Sequence, residues 1–466
     1  MQQSGVYLST LIQDTKPRSE NLALLIFFIA PIVPMETVSH ILVLPVEIIS
    51  SIFELIFQAP RQDRGENGRA APFEIIISQV CSPWRSIALA IPQLWTRVVI
   101  NLPGRHMLDM TTRYLTRSGA LPLHLSITLE LPKQRPDVTE QLRLICNSLV
   151  LHIARWQELR VCYASHLDFI DIARWLPAVP APLLEALQID SRSTEYVTAM
   201  PVLSLSAPAL KELRLSGAGS PILGTSLATV TKIHIQEKLS LWGKSCVIYS
   251  RLLSQTRRLT HLIMNGDIII AWTAQNMSFA LPALLRLDMR LNQQRGGDRL
   301  MRLLSEMNAP RLERLLLENV LGRDLQRFTL EHAFSPAKFP VLRSLTLLIS
   351  TGTPELSPGT ITDTLVFAFP FITHFSYNKD RLNLACMWPR LHTLTLLCGT
   401  RFQATLAAAV KERADAGYAL AKLEVPSALL TGEQLDELRE LLEIEEFAVG
   451  ALRGDAAVER WPGLLY

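Results

Sequence analysis

The residues able to do covalent or metal chemistry are six cysteines, ten histidines and one glycine-rich turn, and their spacing argues against such chemistry. Cys81, Cys146, Cys162, Cys246, Cys386 and Cys398 include no C-x-x-C pair, so neither a zinc knuckle nor a disulfide framework is expected. They read as small buried hydrophobes of a reducing compartment. No two histidines stand four residues apart beside a carboxylate, which removes the simplest helical metal site. A phosphate loop, a dinucleotide fingerprint, H-E-x-x-H and G-x-S-x-G are all missing. The glycines of SGAGS, Ser216 to Ser220, lack a following basic residue and read as a turn. We expect no enzyme, no cofactor and no metal site, which leaves noncovalent recognition.

Side chains suited to recognition recur in step with a leucine phrase, Pro-x-Leu-x-x-Leu-x-Leu. Clear copies start at Pro182, Pro208, Pro282, Pro310, Pro340 and Pro389, with weaker ones at Trp156, Val230, Leu259, Ile372 and Leu420. Successive starts lie about 19 to 30 residues apart, the period of a leucine-rich repeat. The last two apolar residues of each copy are two apart, so both point to one side of a short strand while the residues between them point to the other. Stacked copies bury a continuous core that no single copy could bury. The asparagine ladder of regular repeats is missing and the period wanders, so an irregular, curved solenoid is expected.

The same phase names the opposite, inner face. Arg214, His234, Arg286, Asp288, Arg290 and Arg314 are the candidate target-binding residues, exposed on successive strands. Around them lie Glu158, Arg160, Gln188, Asp190, Glu212, Lys232, Gln236, His261, Asn265 and Glu318, giving mixed charge over the first two thirds of the array. Hydroxyls follow in the last third, at Ser344, Thr346, Ser376, Thr393 and Thr395. Such a face suits a protein or peptide of mixed charge, or a phosphorylated one through Arg286, Arg290 and Arg314.

Ahead of the array, Val43 to Trp95 contains LPVEIISSIFELIF and, after a polar gap, SQVCSPWRSIALAIPQLW. Ile48, Ile49, Ile52, Phe53, Leu55 and Ile56 put apolar side chains on more than one face of a short helix. Phe73 to Val80 is a second apolar run. Ser82 as N-cap with Pro83 at the first helical position opens a third helix, lined by Trp84, Ile87 and Ala88. Leu-Pro, the aliphatics that follow it, and Val-Cys-x-x-Trp-Arg together resemble the F-box family. The resemblance implies a three-helix unit docking on a Skp-type adaptor through Leu44, Pro45, Ile48, Ile49, Ile52, Val80, Cys81 and Trp84, with Arg85 completing the signature. The loop Gln58 to Ala71 is longer than is usual in the family, which a surface loop tolerates at small entropic cost.

Between helices and array, Trp95 to Ile100 reads as a strand, His106 to Ser118 as a helix, and Pro122 to Leu129 as a strand. Asp137 to Ala154 reads as a helix opened by Asp137 with Glu140 three residues on. LTRSGALPLHLSI, Leu115 to Ile127, resembles the linking segment of basidiomycete-type F-box proteins. Thr431 with Gln434 forms a capping box before the acidic helix LDELRELLEIEEF, which would cap the last repeat.

At 466 residues the chain exceeds one compact core. Its 46 basic and 43 acidic residues are spread throughout and give a net charge of +3, which argues against a nucleic-acid partner. NLALLIFFIAPIV, Asn21 to Val33, is interrupted by Pro31 after about ten residues, too short to span a membrane. It lacks a small-x-small cleavage site.

The reading is thus α/β: an N-terminal three-helix F-box followed by an irregular leucine-rich-repeat solenoid. Residues 1–34 are expected to be a poorly ordered or wrongly assigned extension ahead of the functional chain, 40–97 the F-box, 98–154 a link, 155–430 the solenoid and 431–466 a C-terminal helix and cap. The resemblance implies a non-catalytic subunit of a cullin-RING ubiquitin ligase in cytoplasm or nucleus, partnered by a Skp-type adaptor, through it a cullin, and a protein target. The alternative is a scaffold whose helical unit is only a structural cap.

Overall fold

A computed structural model describes residues 44–59, 72–104, 106–130, 136–175, 180–192, 202–203, 205–217, 222–223, 227–237, 245–266, 279–291, 297–320, 338–349, 365–378, 384, 387–397, 406–427 and 429–447. The apolar run Asn21 to Val33, the loop from Pro60 to Ala71, the side chain of Asp137 and the chain after Phe447 lie outside the described residues. The chain divides into two compact units. One contains the stretches up to Val98 and from Met110 to Leu123; the other contains Val99–Asp109 and the chain from His124 to Glu459.

In the first unit, helices α1 (Val46–Gln58), α2 (Phe73–Val80) and α3 (Ser82–Ala90) form where the apolar runs required them. Pro45 precedes α1, and its carbonyl accepts from the N–H groups of Ile48 (3.0 Å) and Ile49 (3.2 Å), so the missing proline donor costs nothing. Ile49, Phe53 and Phe57, four residues apart, form the buried stripe. Phe53 meets Phe73 (6.2 Å) and Trp84 (5.2 Å) edge to face, joining all three helices. Helix α3 starts one residue before the expected position. Extended Cys81 is its N-cap, Ser82 is already helical, and no side chain caps the end. Pro83 remains in the first turn, where its absent N–H is again unneeded. Trp95 is fully buried, donates to the Ala88 carbonyl at 3.0 Å and packs on Tyr114. The Tyr114 hydroxyl in turn donates to buried Glu74 at 2.7 Å.

The second unit is built on one sheet of 14 strands that stack in chain order. They are β1 (Arg97–Leu102), β2 (Leu123–Leu129), β3 (Trp156–Tyr163), β4 (Ala186–Ser191), β5 (Glu212–Ser216), β6 (Lys232–Glu237) and β7 (His261–Gly266). Then come β8 (Arg286–Leu291), β9 (Arg314–Val320), β10 (Ser344–Ile349), β11 (His374–Tyr377), β12 (Thr393–Leu396), β13 (Lys422–Pro426) and β14 (Glu443–Phe447). From β3 onward every pairing is parallel. Sequential parallel strands joined by return crossings make this unit a solenoid of leucine-rich-repeat type.

Each residue of the leucine phrase has a mechanical task. The proline sits second in a turn whose first residue is buried, at Ala181, Ala207, Leu281, Ala309, Phe339 and Trp388. Its fixed φ suits that position. The first leucine closes the turn, as where Leu184 donates to Ala181 (3.2 Å), Leu312 to Ala309 (3.1 Å) and Leu391 to Trp388 (3.1 Å). The two N–H groups that follow converge on one carbonyl of the preceding repeat: Thr231 and Lys232 both donate to Lys211, at 2.8 and 3.0 Å. The last two apolar residues stack in register, so Leu213, Ile233, Leu262, Leu287, Leu315, Leu345, Phe375, Leu394 and Leu423 form one continuous core row.

Two boundaries move. Within the expected link, β1 and β2 stand at the start of the sheet, while Met110–Leu123 belongs to the first compact unit. The link's helices, α4 (Met107–Arg117) and α5 (Pro136–Val150), lie where they were expected. At the other end the capping box is present, with Gln434 N–H donating to Thr431 Oγ1 (3.4 Å) and Thr431 N–H to Gln434 Oε1 (3.1 Å). The helix it opens stops at Arg439, however, and EIEEF becomes strand β14.

Candidate binding surfaces

In the first unit, α1 carries a second stripe opposite the buried one. Ile48, Ile52 and Leu55 follow helical spacing, Ile48 and Leu55 are 48% and 67% exposed, and Leu44, 39% exposed, lies just before the helix. Pro45 is exposed and Ile52 half-buried. Val46 (58%), Val80 (55%) and Leu89 (40%) add further exposed apolar surface. One residue of the expected docking set packs inward: Ile49 is 5% exposed, because it lies on the Phe53 stripe, while Trp84 is half-buried and meets Phe53 edge to face. Cys81 is half-buried at the N-cap, and Arg85 Nε donates to the Ser78 carbonyl at 2.8 Å.

In the second unit the face opposite the leucine core carries three rows in register. The first runs Glu158, Ala186, Glu212, Lys232, His261, Arg286, Arg314, Ser344, His374 and Thr393. The second runs Arg160, Gln188, Arg214, His234, Ile263, Asp288, Leu316, Thr346, Ser376 and Thr395. The third runs Cys162, Asp190, Ser216, Gln236, Asn265, Arg290, Glu318 and Leu348. All six expected target-binding residues therefore share one face.

They do not share exposure. Arg314 is exposed and makes no ion pair among the described residues, while Arg214 and Arg290 are half-buried beside Glu212 (3.4 Å) and Glu318 (3.0 Å). His234 and Asp288, expected to be exposed, are 5% and 1% exposed. Their neighbours close over them. Arg286 grips Asp288 with two hydrogen bonds of 2.9 Å, and Asn265 Nδ2 donates to His234 Nε2 at 2.9 Å.

Apolar members of the rows, Ile263, Leu316 and Leu348, escaped the sequence reading because a leucine in a leucine-rich strand gives no sign that it points outward. Nor do hydroxyls end the face, since Lys422, Glu424, Glu443 and Glu445 extend it on β13 and β14. Lys422 pairs with Glu424 (2.9 Å) and with Glu445, which holds its ammonium above the usual lysine range. Glycine in SGAGS has a steric reason: Gly217 has φ +90°, and a Cβ there would lie 2.1 Å from the Ser191 carbonyl oxygen.

An open depression of about 200 Å³ lies at the start of the face, lined by Glu158, Ala186, Leu187, Gln188, Glu212 and Arg214. His124 on β2 hydrogen-bonds Glu158 at 3.1 Å and, with Arg214 and Arg160, holds that carboxyl below its usual range. Burial pushes the Glu212 carboxyl up, against the pull of Arg214 and Lys232.

Burial, then the charges of Arg214 and Arg290, hold the His234 imidazole down at about 4. A proton on Nε2 would also meet the Asn265 amide donor head-on. The unfolded chain, with an ordinary value near 6.5, takes up a proton that the folded one refuses as pH falls from about 6.5 to about 4, so stability declines across that window and no further below it. Between pH 7 and 5 this loss is roughly 2 kcal/mol. Urea unfolding at the two pH values should show that loss in the native chain and not in His234→Gln; parallel losses would mean that the ring is not held neutral.

No group of metal-ligating side chains occurs among the described residues, and no helix among them is long and apolar enough to cross a membrane. No family model matches the chain, and no curated protein matches it. Among solved structures, a Bacteroides fragilis protein superposes with a TM-score of 0.28 and 10% identity, over 72% of this chain and 76% of its own. TLR13, from the crystal structure of the TLR13-ssRNA13 complex, superposes with a TM-score of 0.29 and 12% identity, over 75% of this chain and 55% of its own. This chain thus spans about half the length of that TLR13 chain. Both scores lie below those of a shared fold, so the surfaces described above speak for this chain alone.

Proposed function

We propose that this chain is an F-box protein, the target-recognition subunit of a cullin-RING ubiquitin ligase. Its helical unit would hold a Skp-type adaptor and its sheet face a protein target. The observation that carries the reading is the second stripe of α1: apolar side chains at helical spacing left exposed on a helix whose other stripe already fills the core. Isolated exposed leucines are ordinary, but a stripe is a docking surface in want of a helix or groove. Leu44, Pro45, Ile48, Ile52 and Val80 would make the contact, while Trp84 supports it from behind through Phe53. The chain would transfer nothing itself and would act by raising the effective concentration of the target beside the ligase.

Glutamates at Ile48 and Val80 test this without disturbing the core. The double variant Ile48→Glu, Val80→Glu should lose capture of a purified Skp-type adaptor while melting at the native temperature, since buried interface anchors commonly contribute about 2 kcal/mol or more each. A folded double variant that still captures the adaptor would sink this docking mode. Truncating Trp84 would be a poorer test, because its loss also removes the ring that Phe53 packs against.

A further inference from the structure

Charge along the first row of the sheet face is ordered by strand. Carboxylates stand at Glu158 and Glu212 on β3 and β5, and bases follow at Lys232, His261, Arg286 and Arg314 on β6 to β9. Ala186 separates the two acids. Its short side chain leaves the depression of about 200 Å³ between their carboxylates. One oxygen of each is engaged, Glu158 Oε2 with His124 and Glu212 Oε1 with Arg214. Two carboxylates against the one guanidinium of Arg214 leave the lining of the notch net negative, and it is partly buried, where attraction is less screened. At the far end of the row Arg314 is exposed and makes no ion pair among the described residues, directly beside Arg286, whose guanidinium holds Asp288.

Neighbouring strands lie about 4.8 Å apart, so the five steps from β4 to β9 span roughly 24 Å. An extended chain advances about 3.3 Å per residue and covers that distance in roughly seven residues. We propose that this face binds an extended segment of the target laid across the strands, with a lysine or arginine in the notch over Ala186 and an aspartate or glutamate roughly seven residues away at Arg314. Charge complementarity fixes the direction as well as the composition, because the reversed segment would set like charges together at both ends. The inference rests on the sheet face being the target-binding surface proposed above, but not on the adaptor.

The probe is a phage library of random dodecapeptides, panned on the full-length protein and on its Ala186→Gln and Arg314→Glu variants, both confirmed folded by thermal melts. Peptides enriched on the native chain should pair Lys or Arg with Asp or Glu roughly six to eight residues apart. A synthetic copy should bind at least tenfold more tightly than its charge-swapped counterpart. Ala186→Gln, which fills the notch, should erase the basic preference and keep the acidic one; Arg314→Glu should replace the acidic preference by a basic one. Enrichment without the pair, enrichment indifferent to either substitution, or no enrichment above an uncoated surface each overturns the proposal. Adaptor capture is scored on the other unit, so its failure with the peptide pattern intact would remove the ligase reading and leave this one standing.

Discussion

Arg413→Ala is expected to cost about 3–5 kcal/mol of stability, far beyond the truncation of an ordinary surface arginine. Arg413 lies on helix α9, counting α6 (His166–Trp175), α7 (Ser245–Ser254) and α8 (Gly297–Glu306) before it; α9 spans Leu406–Asp415. Its side chain is fully buried, and no carboxylate among the described residues pairs with it. Backbone carbonyls take that place: Nη1 donates to Leu384 (2.9 Å) and Met387 (3.2 Å), and Nη2 to Trp388 (2.5 Å). The carbonyls belong to the turns that precede β12, where Met387 N–H also donates to Leu384 and Leu391 N–H to Trp388, and Trp388 donates its indole N–H to Phe369 at 2.6 Å. One guanidinium thus bolts a return helix to the turn of the preceding repeat.

Alanine would remove charge-assisted bonds from all three carbonyls, leave that of Met387 with no other donor among the described residues, and open a void behind them, each a recognised source of loss. Methionine at the same position fills most of the volume but donates nothing. Equilibrium urea unfolding of both variants separates the two contributions. If Arg413→Met matches the native chain, the carbonyls are satisfied by something other than the guanidinium. If it falls with Arg413→Ala, the hydrogen bonds dominate.

How much of this molecule is legible in its sequence depends on whether one residue decides one feature. The solenoid was legible because the proline, the first leucine and the last two leucines of each phrase each hold a fixed backbone task, so the phrase predicts turn, strand and core side together. Register followed for free, since a slip of one residue would turn the leucines out of the core. The fate of EIEEF was not legible. Acidic residues after LRELL continue a helical pattern, but Leu423 and Ile444 pair across strands, Lys422 draws Glu445, and Arg439 reaches Glu446 at 3.0 Å. Tertiary partners outweighed local propensity there.

Depth on the sheet face was equally hidden. Alternation says which side of the sheet Asp288 and His234 occupy, but only the reach of Arg286 and Asn265 from nearby positions decides that they are covered. In the helical unit the sequence showed that α1 is apolar on two faces. It did not show which face packs inward, and so Ile49 was placed with the docking residues.

The covered position of Asp288 carries the other large effect. Its carboxylate sits in the second row between Ile263 and Leu316, two apolar side chains that cannot satisfy it, and Arg286 alone among the described residues is seen to hold both its oxygens. Arg286→Met should therefore cost about 3–5 kcal/mol, because it strands a buried charge, and not the roughly 0.5 kcal/mol of an exposed substitution. Asp288→Leu should cost much less: leucine completes the apolar row, and Arg286, partly exposed, keeps access to water. The double variant should recover most of what Arg286→Met loses, leaving a coupling of several kcal/mol in the cycle, as expected of groups in direct contact. Urea unfolding of the four proteins gives that coupling directly. Additive losses would mean that the two side chains do not depend on each other. A large coupling would show that Asp288 is tolerated at its buried position because Arg286 is there to pair with it.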